Sequence, residues 1–342
     1  MSEVVEERER SPRKDTARPR RLRRGDRVVV RSPEEILETL DADGTLHGLP
    51  FMPEMLDWCG KTFRVDRRAS KTCVAVPPPA YTNQRFPGDD VVFLEGLRCD
   101  GSGHDGCKRS CKVFWKEAWL RPLEAGEAPP PALATAGREA CRSRLKTKTD
   151  ETHYFCQTIA LPQATEPFPG RKKLWMLRVA IREVRDGDRS VPELLRMLVL
   201  FCWQRLVRAI HRDRWLVGTA TPTPTASLGL VPGERVRVKS RAEVVATLDA
   251  HRRNRGLVVC HEMTRCCGAE AEVRQRIDRL IDERTGVIRD LRDTVSLRNV
   301  EGRGISMPDA DCLCYDEPGD CPRGEMMFWR EIWLERLDGR AE

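Results

Sequence analysis

The sequence has no run of 18 or more apolar residues, roughly the length a helix needs to cross a bilayer, so no membrane span is expected. It also lacks an apolar signal core behind its first residues, which argues against secretion by that route and makes a cytoplasmic location the expectation. Tyr and Phe are scarce, 3 and 9 in 342 residues, a composition that suits several small cores better than one large one. Charge of one sign is also limited. The formal net charge is +7, and about +4 of it comes from residues 1–24, where nine Arg or Lys meet five Asp or Glu. The rest of the chain is close to neutral, which argues against a dedicated nucleic-acid binder. The tail 1–24, with its Arg18–Arg24 run, is expected as a disordered, solvated arm, and any nucleic-acid contact is confined to it.

Cysteine, by contrast, is plentiful at 14 residues, and Trp is present 8 times. Without an export signal these cysteines are expected as thiols, and clustered thiols point to metal binding or redox chemistry more than to disulfides.

An internal duplication organises the chain. Residues 25–60 and 233–268 align without a gap, with sixteen identities in thirty-six positions. A second block follows in each, FWKEAWLRPL at 114–123 and FWREIWLERL at 328–337, with six identities in ten. Two blocks in the same order at nearly equal spacing mark a repeat. The copies are therefore expected at 25–123 and 233–338. Linkers at 124–137 and 218–232 carry a Pro129–Pro131 run and a TPTPT run. Between them, 138–217 is unduplicated. Its apolar pattern predicts a helix over about 192–211, preceded by a short run of Leu174, Met176, Leu177 and Val179. That helix is expected to dock on the flanking domains, the competing role being a face for a membrane surface or a partner.

Within each copy the opening G-[DE]-R-V-x-V reads as a half-buried strand. Ser32 with Glu35, and Ser240 with Glu243, have the spacing of a capping box ahead of a short helix. Further strands are expected at Thr62–Val65 and Val91–Leu97. In the FWxExWL block a period of two puts Trp115, Glu117 and Trp119 on one face of a closing strand. Its tryptophans are expected as core anchors, the competing role being stacking platforms for bases or a ligand. The fold class expected is mainly β with α (α+β): two small antiparallel barrels, each with a cysteine-rich metal loop, joined by a partly helical middle segment.

These elements resemble the Src-homology-3-like barrel of the nitrile hydratase β-subunit type. The resemblance rests on Gly25–Val30, Leu49-Pro50, Gly60-Lys61 with Val65, and Trp115, Glu117, Trp119 and Leu120. In the second copy it rests on Gly233–Val238, Gly268, Val273, Trp329, Glu331, Trp333 and Leu334, without the proline and lysine. It implies the barrel fold. It does not imply hydratase activity, because catalysis in that family belongs to the partner subunit and its C-T-L-C-S-C-like motif, of which Cys312-Leu313-Cys314 is only a fragment.

The chemistry concentrates in two loops. CDGSGHDGCKRSC brings Cys99, Cys107 and Cys111 together with His104, and Cys59 and Cys73 lie upstream. CLCYDEPGDC brings Cys312, Cys314 and Cys321, with Cys260, Cys266 and Cys267 upstream. Counted back from the FW block, Cys107 and Cys321 share an offset of seven, and Cys59 aligns with Cys267. Zinc favours four Cys or His ligands in a tetrahedron. The expected sets are Cys73, Cys99, Cys107 and Cys111 in copy 1, and Cys312, Cys314 and Cys321 with Cys266 or Cys267 in copy 2. Iron or an iron–sulfur cluster uses the same ligands. Cys141, His153 and Cys156 form a third candidate set. His104, and His261 beside Glu262, could serve acid–base chemistry, or be spare ligands or surface residues. Cys202 reads as a core thiol on the apolar helix.

Three functions fit these features. The first is a zinc-binding tandem-barrel accessory or scaffold protein acting through a protein partner. The second is a zinc- or iron-dependent tailoring enzyme for a small nitrogen- or sulfur-containing metabolite. The third is a nucleic-acid-binding barrel protein.

Overall fold

The computed structural model describes residues 21–75, 81–124, 126–127, 136–169, 172–211, 217–302, 305–309 and 323–337. The chain is mixed strand and helix, with several antiparallel sheets. Copy 1 opens with the strand Arg27–Val30, whose three valines are all buried, as β-branched side chains favour on a covered sheet. It pairs with Thr62–Arg68 on one side and Leu120–Pro122 on the other. Thr62–Arg68 pairs with Val91–Leu94, and that strand with Trp115–Lys116. The last segment of the copy thus touches both edges of the sheet and curls it into a half-barrel.

It does so because it breaks. The expectation of one continuous closing strand is corrected: a 3-10 turn at Glu117–Trp119 separates Trp115–Lys116 from Leu120–Pro122. Trp115 and Trp119 both remain wholly buried, edge-on to Phe51. They are core anchors, with no face left for a base.

Copy 2 repeats this order. Arg235–Val238 lies between Glu270–Arg276 and Leu334–Arg336, and Thr294–Gly302 pairs with Glu270–Arg276 and with Phe328–Arg330. A 3-10 turn at Glu331–Trp333 again splits the last segment. The duplication extends to single hydrogen bonds. Both capping boxes form. Trp119 Nε1 donates to Thr39 Oγ1 at 3.1 Å, and Trp333 Nε1 to Thr247 Oγ1 at 2.9 Å.

A carboxylate sits at each break, wholly buried at Glu331 and partly exposed at Glu117. Glu117 accepts from the Leu22 amide and from Arg68. Glu331 accepts from the amides of Leu228, Gly229 and Leu230 and from Arg276 at 2.6 Å. Leu22 and Leu230 are both in the core, 3% and 0% exposed. Two boundaries therefore move. The expected tail gives way to packed chain before Arg24, residues 1–20 lying outside the described residues. The expected linker 218–232 is tied down over much of its length, since Gly218 and Ala220 also donate to Asp249 and Leu248. In both places a buried leucine and a carboxylate acceptor outweigh the local Arg or Pro composition.

The middle segment forms helices at Gln157–Ala164, Lys172–Arg185 and Val191–His211. The expected docking of the long helix is corrected. Leu195, Val199, Trp203 and Leu206 are each more than half exposed, and Cys202 is exposed rather than a core thiol. The shorter helix takes the contact with copy 1 instead, burying Trp175 and Val179 and pairing Arg182 with Asp89. Among the described residues no helix is long and apolar enough to cross a membrane.

The closing carboxylate yields a direct test. Glu331→Ala would leave three amides without their acceptor and Arg276 without its carboxylate, though still bonded to the Leu230 carbonyl, and breaking such a centre costs up to about 3–5 kcal/mol. Thermal unfolding should show that loss, and Glu331→Gln should be milder because its amide oxygen still accepts.

Candidate metal centre

The loop 99–111 is closed at its base. The Cys99 amide donates to the Cys111 carbonyl at 2.8 Å, and Arg98 bridges Lys112 across it. Inside, the Gly101 carbonyl accepts from the amides of His104 and Gly106. Gly101 has φ +76°, and a Cβ there would lie 2.1 Å from the Cys107 carbonyl oxygen, so only glycine allows this turn. The tight winding aims the cysteines inward.

Glu54, Cys99 and His104 form a potential metal-binding group, with one donor atom from each lying within 4.8 Å of the other two. Glu54 and His104 are both 1% exposed and meet at 2.5 Å through Nδ1 and Oε1. The other ring nitrogen, Nε2, faces the Phe155 carbonyl at 3.0 Å. A carbonyl can only accept, and the carboxylate accepts at Nδ1, so His104 carries protons on both nitrogens. Burial works to lower the His104 pKa, but the Glu54 hydrogen bond and charge outweigh it and raise it. Burial works to raise that of Glu54, and the His104 hydrogen bond holds it low. The pair is an imidazolium–carboxylate clasp. Glu54 also accepts from Gly103 N and lies 3.6 Å from the Cys99 sulfur.

Beside this clasp is a cavity of about 30 Å³ lined by Cys99, Cys107, Cys111 and Cys156. The fourth cysteine comes from the middle segment. Gln157 brings it there: its side chain accepts from Phe114 N at 2.8 Å and donates to Phe114 O at 2.8 Å and Pro50 O at 3.0 Å. Burial pushes the Cys99 thiol far up, with the Glu54 charge adding to it. Burial also raises Cys111, opposed by Arg109, and takes Cys156 up to about 12. Among the described residues no three of these sulfurs lie within 4.8 Å of one another. A tetrahedron with 2.3 Å S–Zn bonds holds its sulfurs about 3.8 Å apart, so an ion would draw the four inward.

The other sequence candidates sit elsewhere. Cys73 lies on the strand Thr72–Ala75, in a separate sheet, and its carbonyl accepts from Arg323. Cys59 and Cys141 are buried in the copy 1 core, and burial pushes Cys59 up to about 12. His153 is about half exposed and held by Asp150, so Cys141, His153 and Cys156 do not converge. Cys266 and Cys267 are buried in the copy 2 core, with Cys260 packed against it, and His261 opens the helix His261–Arg265. Cys312, Cys314 and Cys321 lie outside the described residues. The sequence reading missed Glu54 and Gln157. Glu54 aligns with Glu262, a repeated acidic position that could have singled it out, whereas nothing local marks Gln157.

Compared with protein-family models, curated proteins and solved structures, the chain matches none.

The clasp sets a pH dependence. The raised His104 pKa gives stability that is fully present below the ordinary value of 6.5 and lost as pH rises through the raised value. The lowered Glu54 pKa gives stability present above the ordinary 4.5 and lost as pH falls through the lowered value. In metal-stripped protein, the stability gap between wild type and His104→Gln should therefore be widest between pH 4.5 and 6.5. It should narrow on either side, as read by urea unfolding across pH.

Proposed function

We propose that the chain is a zinc-stapled tandem-barrel protein that serves as an accessory or scaffold for a protein partner. Its zinc in copy 1 is held by Cys99, Cys107, Cys111 and Cys156. The observation that carries this reading is the convergence of four cysteines, from two distant segments, on one small cavity. Buried thiols gain little from one another as neutral groups, whereas a divalent ion takes four deprotonated sulfurs together. A cavity of about 30 Å³ is of the size that one ion occupies.

In this reading each copy is a Src-homology-3-like barrel of the nitrile hydratase β-subunit type. The five-strand order and the broken closing strand support that assignment. A small barrel buries little surface, and a closed zinc site adds roughly 10 kcal/mol of folding free energy in small modules. The aliphatic stripe of the long helix, exposed at Leu195, Val199, Trp203 and Leu206, is the kind of surface a protein partner covers. The repeat extends the proposal to copy 2, whose sequence carries Cys312, Cys314 and Cys321 ahead of Phe328.

The Glu54–Cys99–His104 group favours a second reading, a metalloenzyme with an open mixed-ligand site. Ligation by His104 would require it to give up a proton and a buried hydrogen bond, which makes the thiolate set the better one.

Metal analysis and cobalt substitution separate the two. Cys156→Ser should lose one zinc per chain and weaken the thiolate-to-cobalt charge-transfer bands, while Glu54→Gln keeps its metal. Full zinc content in Cys156→Ser, or brown protein containing iron and sulfide, overturns the proposal.

A further inference from the structure

Copy 2 reaches into the copy 1 metal centre. Its hairpin, strands Arg279–Ile281 and Ile288–Asp290, lies on the 99–111 loop. The Ile281 amide donates to the Cys107 sulfur at 3.4 Å, and Ile281 lines the thiol cavity. On either side of that bond, Lys108 N donates to Arg279 O at 2.8 Å and Gln275 Nε2 to Lys108 O at 3.0 Å. Two guanidinium groups lie next to this contact. Arg109 pairs with Glu283 at 3.1 Å and Glu325 at 2.8 Å, and Arg323 pairs with both carboxylates as well. Arg109, Glu283 and Arg323 are 13%, 6% and 4% exposed at their side chains.

This is an unusual amount of buried charge for a contact between two repeats. Desolvating two guanidinium groups and two carboxylates is expensive unless further partners balance them. A four-thiolate zinc centre carries a net charge of −2, and cations and amide donors around it stabilise that charge. Hydrogen bonds to ligand sulfurs and neighbouring charges commonly change metal affinity by about 10- to 100-fold.

We infer that the copy 2 hairpin, together with the Arg109–Glu283–Arg323–Glu325 cluster, is the outer shell of the copy 1 zinc site, so that zinc binding and docking of the two copies are one linked equilibrium. The inference rests on the four-cysteine zinc reading. Ile281 and Glu283 are positioning residues: the first holds the Cys107 sulfur through its amide, the second holds Arg109 and Arg323 against the site. Linkage is reciprocal. Metal loss loosens the hairpin, and a loosened hairpin weakens the metal.

Two measurements on the full-length chain test this. The first is hydrogen exchange of zinc-loaded and chelator-stripped protein. Amides of 277–291 should lose protection on stripping while the copy 2 core strand Arg235–Val238 keeps it. The second is a chelator competition on Glu283→Gln, whose zinc affinity should fall about 10-fold or more, with a shifted cobalt charge-transfer band. Unchanged exchange at 277–291, or wild-type zinc affinity and spectrum in Glu283→Gln, overturns the linkage. If stripping unprotects the whole chain, the affinity and spectrum of Glu283→Gln decide it. These failures differ from failure of the zinc reading, which would show as undiminished metal in Cys156→Ser.

Discussion

The structure depends on where the last strand of each copy breaks. At that break a carboxylate, Glu117 or Glu331, accepts from backbone amide and arginine donors. A carboxylate held by several donors tolerates little displacement, which keeps the 3-10 turn around it in place. Holding the turn lets one short segment pair with two different strands of the sheet and sets the position of Phe114, which is buried in the copy 1 core. Gln157 then grips both backbone polar groups of Phe114. That grip carries Cys156 to the loop that begins at Cys99. The geometry of the thiol cavity is therefore inherited, through two polar clamps, from the folding of the last strand.

Much of this was legible in the sequence, and the limits have physical causes. The repeat, the opening strands and both capping boxes were legible because each is written in local spacing. The broken strand was not. A period-two pattern in five residues looks the same whether or not a single turn interrupts it, and only the pairing of both edges reveals the break. The start of each copy was misplaced for a related reason: Leu22 and Leu230 are single apolar residues in polar or Pro-rich surroundings, and their burial is decided by carboxylates about a hundred residues away. The long helix was correctly bounded, but its partner surface was not readable, because periodicity shows that a face is apolar without showing what covers it.

The thiol cluster divides in the same way. Cys99, Cys107 and Cys111 are close in sequence and line one cavity, since the Cys99–Cys111 backbone bond closes their loop. The placement of Cys73 and Cys156 depends on tertiary structure. Cys73 looked nearer the loop along the chain, yet its strand belongs to another sheet. Cys156 looked like part of a middle-segment set with Cys141 and His153, yet it stands at the start of a helix anchored to copy 1. Sequence distance ranks candidate ligands poorly once a side chain such as Gln157 binds two segments together.

The divergence between the copies can now be placed. Where the copies match residue for residue, at the capping boxes, the indole–threonine bonds and the carboxylates, the matched groups build the sheet. Where they differ, in the 99–111 loop of copy 1 and in the strands Arg279–Ile281 and Ile288–Asp290 of copy 2, the residues meet at the thiol cavity. Copy 2 thus places an amide, two carboxylates and a guanidinium against the copy 1 loop. A repeat that pairs this many polar groups with its neighbour fits a non-equivalent pair better than two independent copies of one module.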